Sequence, residues 1–154
     1  MRRRVTSIVR GGAVFLAAVT AVAQAAGAQP ASCDRRDFET VVDDAAAALR
    51  QLNQQKRPAF QDKLRQLKEQ RGWSQDQFMV EATAYVQDDR IAEFDQTSNE
   101  LLARLNRTGE AGVGDAVPDC KLLAELRATM KALVDTQTAK WVYMFDKIDA
   151  ALRK

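Results

Sequence analysis

The chain has 154 residues, with 23 lysines and arginines against 21 aspartates and glutamates, two cysteines and no histidine. This near balance of charge excludes the one-sided positive field that nucleic-acid binding requires. Without histidine, and without closely spaced cysteines, the sequence predicts neither a metal site nor another cofactor.

The first 28 residues have the three-part pattern of a secretion signal. An apolar stretch at 13–23 is shorter than the ~20 residues of a membrane-spanning helix, and small residues follow at 26–28. Before the apolar stretch come four arginines, Arg2, Arg3, Arg4 and Arg10. We predict cleavage after Ala28 and a periplasmic mature domain, 29–154, without a transmembrane anchor; a retained anchor is the alternative. Cleavage there would remove four arginines and no acidic residue, so the formal net charge would change from +2 for the whole chain to about −2 for the mature domain.

The two cysteines, Cys33 and Cys120, are expected to form a disulfide, because an exported protein folds in an oxidising compartment. Closing so long a loop stabilises a fold by about 4 kcal/mol in the chain-entropy model. A reactive thiol pair and a soft-metal site are the alternatives, and neither has supporting neighbours in the sequence.

Helical periodicity runs through nearly all of the mature chain. A first helix is predicted over 34–55, and Pro58 should kink or restart it, because proline donates no backbone hydrogen bond. A second stretch, 58–71, ends at Gly72, a residue suited to the left-handed cap position.

Ser74 to Gln77 has the pattern of a capping box, which predicts the start of a long helix without a breaker before Asn106. Residues 107–118, with three glycines and a proline, are predicted as a loop. Asp119 then caps the last helix.

These lengths predict an all-α fold: an elongated up-down-up bundle of three arms, the first arm broken at Pro58. In this arrangement Cys33 and Cys120 both lie at the same end. A four-helix bundle is the alternative, although a short second helix would match its long neighbours poorly.

Counting heights from the cysteine end places Gln87 opposite Gln137 in a buried polar layer that would fix the register of the arms. A polar ligand contact is the alternative role for this pair. The acidic pairs Asp43-Asp44 and Asp88-Asp89 are predicted to be solvated surface, because neighbouring helical positions point about 100° apart.

An aromatic concentration is predicted just beyond this layer, near the Pro58 break. Its members, the predicted aromatic site, are Trp141, Tyr143, Phe145, Tyr85, Phe78 and Phe60. Helical bundles often bind ligands where packing between helices is irregular, so this is the predicted position for an apolar ligand or a partner's apolar segment. The alternative is that the rings only fill the core.

The sequence therefore predicts an exported helical binding or interaction protein, of a chaperone-like or stress-related kind, whose partner is another protein or an apolar ligand. A self-assembling envelope protein is the alternative, suggested by apolar residues outside the helix seams. No motif for nucleophilic or acid-base catalysis is present, which argues against an enzyme, although carboxylate or lysine chemistry stays open.

Overall fold

A computed structural model describes residues 33–113 and 119–154, except for the side chains of 109–113. The described residues lie within the unit Ala31–Lys154, and the predicted signal peptide at 1–28 lies outside them. No strand occurs in this part of the chain, which confirms the all-α fold and the helical bundle. The helices are α1 (Arg35–Arg71), α2 (Gln75–Glu81), a 3-10 turn (Ala82–Tyr85), α3 (Asp89–Val113) and α4 (Cys120–Leu152).

The first and last helices run parallel from a shared disulfide. Cys33 and Cys120 are bonded, with their Cα atoms 5.0 Å apart, at the start of α1 and α4. At the other end of both helices, the guanidinium of Arg71 donates to the backbone oxygen of Ala151 at 3.1 Å. The helix α3 runs antiparallel to α4, because Asp88 before its start pairs with Lys147 and Ser98 further along pairs with Gln137. The up-down-up order with both cysteines at one end is therefore confirmed.

The predicted caps are present. Asp34 caps α1 in a capping box with Asp37, and Gly72 ends that helix with φ of 65°. Ser74 and Gln77 form the expected capping box of α2. The side chain of Asp119 accepts from the backbone amide of Lys121 at 2.8 Å and so caps α4. Local hydrogen bonding therefore sets most helix boundaries.

The predicted break at Pro58 is wrong, because this residue lies inside α1, a single helix of 37 residues. Pro58 is exposed, so its ring does not disturb the core side of the helix. Buried residues on either side, Ala45 before it and Phe60 and Leu67 after it, hold both halves of α1 in place. Their burial offsets the roughly 3 kcal/mol that an interior proline costs.

The break lies instead in the second arm, which was predicted to be continuous. The helix α2 ends at Glu81, and α3 begins only at Asp89, after the 3-10 turn. Asp88 causes the restart, because its side chain accepts from the backbone amide of Ile91 at 2.8 Å as an N-cap. The helix α3 also extends to Val113, into the predicted loop. Glycine inside a helix costs only about 1 kcal/mol, too little to end it.

Two apolar clusters contain most of the buried apolar residues. The proximal core, nearer the disulfide, consists of Leu105, Leu126 and Leu133, with Phe38, Val41 and Leu49 of α1 packed against it. The distal core consists of Phe60, Leu67, Ile91, Met144 and Ile148. The helix α4 contributes to both clusters and packs against α1 and α3. It is therefore the central element of the bundle.

The disulfide between Cys33 and Cys120 should contribute strongly to the stability of the fold. Replacing either cysteine by serine should lower the free energy of unfolding by about 4 kcal/mol, because the open chain regains the entropy of an 87-residue loop. Urea unfolding followed by circular dichroism measures this. The double variant should lose no more than either single variant, and equal midpoints for oxidised and reduced wild type would contradict the prediction.

Candidate binding site

Five of the six predicted aromatic residues share the distal core. Phe60 is 3% exposed, and Trp141, Tyr143, Phe145 and Tyr85 pack against that cluster. The ring of Phe60 meets Trp141 edge to face at 5.9 Å and Phe145 at 5.5 Å between centroids. The rings of Phe60, Trp141 and Phe145 are therefore in mutual contact, whereas Tyr85 and Tyr143 pack against the same cluster. A binding role for these residues stays a prediction.

The sixth residue, Phe78, is placed differently. It lies on α2, which has no buried residue, and its ring contacts the ammonium of Lys68 at 5.4 Å from the centroid. The indole nitrogen of Trp141 donates to the side-chain oxygen of Asn53 at 3.2 Å. Asn53 of α1 is therefore a neighbour of this part of α4.

The predicted pairing of Gln87 with Gln137 is wrong. Gln87 is exposed in the turn before α3, whereas the amide of Gln137 donates to the hydroxyl of Ser98 at 2.7 Å. Ser98 is 6% exposed, so a buried polar layer does exist, with a different partner. The prediction ended the second arm at Asn106, but α3 ends seven residues later, at Val113, which accounts for most of the displacement.

A series of polar pairs fixes the register of α3 against α4. Lys147 pairs with Asp88, Lys140 with Asp95, and Gln137 with Ser98. The intervals between successive pairs, seven residues and then three, are the same on both helices. Such spacing keeps each pair on the facing sides of two antiparallel helices.

Asp88 is the most connected polar residue of this series. It accepts from the backbone amide of Ile91, from the ammonium of Lys147 and, at 3.0 Å, from the hydroxyl of Tyr143. The hydrogen bond from Lys147, followed by that from Ile91, lowers the pKa of Asp88 to about 2. The bond to the Asp88 carboxylate, with some burial, raises the pKa of Tyr143. Lys147 also donates to the backbone oxygen of Ala84 at 2.6 Å, which ties the 3-10 turn to α4.

A shallow surface groove runs between α3 and α4, and we refer to it as the α3–α4 groove. It consists of two neighbouring concavities of about 600 and 490 Å³ that share part of their lining. Its principal lining residues are Arg90, Glu93, Phe94, Thr97, Glu100, Asp135, Thr138, Ala139, Val142, Tyr143 and Asp146. On both helices these residues follow the i, i+3, i+4, i+7 pattern of one helix face, so each helix presents one stripe to the groove.

The floor of the groove is apolar. Phe94 packs against Tyr143 with ring centroids 6.2 Å apart, and Ala139 and Val142 continue this surface along α4. Val142 is 52% exposed. Residues two positions apart on a helix point about 200° apart, so Val142 faces away from buried Met144. The groove is therefore a second apolar surface of α4, separate from its core stripe.

Sequence reasoning missed this groove, although it placed Tyr143 in a site. Phe60, Trp141 and Phe145 line neither concavity, whereas Tyr143 lines one of them. The sequence signal was Val142 at an outward position of α4, between the charged and polar residues of the same stripe. The sequence does not show how α3 pairs with α4, so it could not indicate which α3 residues lie beside Val142.

Within 33–113 and 119–154, no group of three or more metal-binding side chains converges. The helices of this part of the chain also include none with the length and apolar character of a membrane span.

Comparison of the chain with protein-family models, with curated proteins and with solved structures found no match.

The bonds of Asp88 predict an acid-dependent stability. An unfolded aspartate takes up its proton below its ordinary pKa of 3.8, whereas folded Asp88 stays ionised down to about 2. Asp88 therefore stabilises the fold above pH 3.8, and this contribution is lost as the pH falls towards 2. The Asp88→Asn variant should be less stable than wild type at pH 7, and the difference should shrink across this window.

Urea unfolding at a series of pH values measures the effect. Lys147→Met should weaken the same acid dependence, because Lys147 makes the bond that lowers the pKa of Asp88 most. Asp89→Asn is the neighbouring control at pH 7, since Asp89 is exposed. A constant difference between wild type and Asp88→Asn from pH 7 to pH 2 would contradict the assignment.

Proposed function

We propose that this chain is an exported helical binding protein that holds an apolar segment of a partner protein in the α3–α4 groove. The observation that carries the proposal is the apolar floor of Phe94, Ala139 and Val142, with Val142 half exposed between polar rims. Apolar surface left uncovered in a concave site is typical of interaction sites, because covering it removes water from it.

The dimensions of the groove suit a helix or a short extended segment. Its lining spans residues 90–100 of α3 and 135–146 of α4. At 1.5 Å per residue each stripe is about 15 Å long, or about three helical turns. Amphipathic helices commonly bind in such grooves through apolar residues spaced three and four apart.

The aromatic cluster beneath supports this role without being the binding surface. Phe60 and its neighbours fill the distal core, so a small ligand there would have to displace packed rings. Tyr143 connects the two regions, because it packs against the distal core and also lines the groove. The packed core gives the groove a rigid base, which limits the entropy lost on binding.

Export is part of the proposal. A disulfide between distant cysteines is typical of proteins that fold outside the cytoplasm, and the arginine-rich start with its apolar stretch at 13–23 is typical of a secretion signal. We therefore propose a periplasmic mature domain beginning at Gln29, without a catalytic role.

Self-assembly is the second candidate function, and one observation favours it. Met79 and Val80 on α2 are 64% and 72% exposed, which leaves an apolar patch at the end of the bundle away from the disulfide. A second copy covering this patch would bury both side chains. The groove is favoured over the patch because it has a defined concave shape.

The groove and the patch can be separated with matched variants. The probe is a fluorescein-labelled peptide of about 14 residues, roughly four helical turns, made of alanine and glutamine with leucines at i, i+3, i+4 and i+7. Val142→Asn should weaken its binding roughly tenfold, because a buried valine contributes about 1.5 kcal/mol. Val80→Asn makes the same change on α2 and should have little effect. Fluorescence anisotropy measures both affinities.

The reverse pattern, a loss with Val80→Asn alone, would place binding on the α2 patch and overturn the groove assignment. Sedimentation velocity on the same samples tests self-assembly directly. A stable oligomer that Val80→Asn dissociates would favour the second candidate function.

The export proposal predicts the mass of the secreted protein. Expression of the full chain in a bacterium should give a periplasmic product that begins at Gln29, because signal peptidase cuts after small residues such as those at 26–28. Intact-mass spectrometry of the periplasmic fraction measures the start. Recovery of the whole chain in the membrane fraction would indicate a retained anchor instead.

A further inference from the structure

The α3–α4 groove carries more acidic than basic side chains. Its lining includes four carboxylates, Glu93, Glu100, Asp135 and Asp146, and one cation, Arg90. Because α3 and α4 are antiparallel, Glu100 and Asp135 lie towards one end of the groove and Asp146 lies towards the other. Acidic groups therefore stand at both ends of the apolar floor, and the cation Arg90, at the Asp146 end, pairs with Glu93.

Two of these carboxylates have no ion-pair partner within the described ranges. Glu100 accepts a hydrogen bond from the uncharged amide of Gln96 at 3.0 Å, and none of the salt bridges of these ranges includes Glu100 or Asp146. The groove therefore has negative potential that the chain itself does not neutralise.

The nearby lysines of α4 are engaged elsewhere. Lys140 pairs with Asp95 and is 21% exposed, and Lys147 pairs with Asp88 and is 26% exposed. Both lie between α3 and α4 as part of the register-fixing series. Of the cations flanking the groove, Lys131 pairs with Asp135 in an exposed i,i+4 bridge, which is weak in water.

The apolar floor also has an affinity for cations. The guanidinium of Arg90 lies over the ring of Phe94, 4.8 Å from its centroid. An aromatic face attracts a cation through its quadrupole, and exposed contacts of this kind contribute about 0.5–1 kcal/mol. A basic side chain of a partner can use the same face beside or in place of Arg90.

We propose that the partner segment bound in the groove is a cationic amphipathic helix of another protein, about three turns long. Its apolar side would cover Phe94, Ala139 and Val142, and its lysines or arginines would reach Glu100, Asp135 and Asp146. This inference rests on the proposed function and adds the charge of the partner to it. Opposite charge across the rim speeds encounter and selects against acidic partners.

Three peptides test the proposal. All have about 14 residues and the same leucine positions, and their flanking positions carry lysine, glutamine or glutamate. At an ionic strength of about 0.02 M the lysine peptide should bind residues 29–154 at least tenfold more tightly than the glutamate peptide. At about 0.5 M this ratio should fall towards one, because salt screens exposed charges. Fluorescence anisotropy measures all affinities.

A variant pair assigns the preference to the groove. The double variant Glu100→Gln, Asp146→Asn should reduce the ratio of lysine to glutamate affinities at least threefold at low salt. The control is Asp43→Asn, Asp44→Asn, which removes the same charge from an exposed part of α1. It should leave the ratio within about a factor of 1.5 of wild type. Thermal unfolding confirms that both variants are folded.

The outcomes separate the two proposals. Equal affinity for the three peptides would overturn the charge inference and leave the groove as the binding site for an uncharged segment. A preference that both double variants reduce equally would also overturn it, because the net charge would then act without the groove. Failure of all three peptides to bind would overturn the proposed function itself. The chain could instead form a dimer that the groove double variant dissociates and the control variant does not. That result would identify a second copy of the chain as the occupant of the groove and would overturn the proposal that the helix belongs to another protein.

Discussion

The packing of α4 between α1 and α3 is the constraint on which the rest of the structure depends. Both apolar clusters contain α4 residues, from Leu126 and Leu133 near the disulfide to Met144 and Ile148 at the far end. The disulfide starts α1 and α4 together, which sets them parallel and equal in height. The side of α4 that a residue occupies then decides whether it enters the core or lines the groove.

The break between α2 and α3 is the point at which α3 is positioned against α4. The side chain of Asp88 caps α3 and also accepts hydrogen bonds from Lys147 and Tyr143 of α4. One carboxylate therefore both starts α3 and holds it in register with α4. An uncapped helix at this point would leave backbone amides without acceptors. Because Lys147 also binds Ala84, the short 3-10 turn is tied to α4 by the same side chain.

Local signals in the sequence were enough to predict most of the fold. Capping boxes at Asp34 and Ser74, the glycine stop at Gly72 and the cap at Asp119 depend on neighbouring residues alone, and all are present. The pairing of the cysteines was predicted from the expected oxidising compartment and from the topology of the arms, and the disulfide is present. The continuous helix at Pro58 was missed because proline propensity describes an isolated helix, whereas burial of Phe60 and Leu67 is a tertiary effect.

The register of α3 needed information that the sequence does not display locally. Gln87 and Gln137 share a residue type, which favoured pairing them, but Ser98 is the residue that faces Gln137. The true signal is the matched spacing of Asp88, Asp95 and Ser98 with Lys147, Lys140 and Gln137. It becomes visible only when the two helices are aligned antiparallel, with α3 extended to Val113.

The same series of pairs explains why a groove with uncompensated acidity lies beside it. Lys140 and Lys147 could neutralise the outer carboxylates of α3 and α4 if they were free, but each is held by an aspartate between the helices. Fixing the register in this way engages Lys140 and Lys147 with α3, while Asp146 in the lining of the groove has no ion-pair partner within the described ranges. Structural pairing and surface potential are therefore linked, so a change that frees Lys147 would alter both the start of α3 and the charge of the groove.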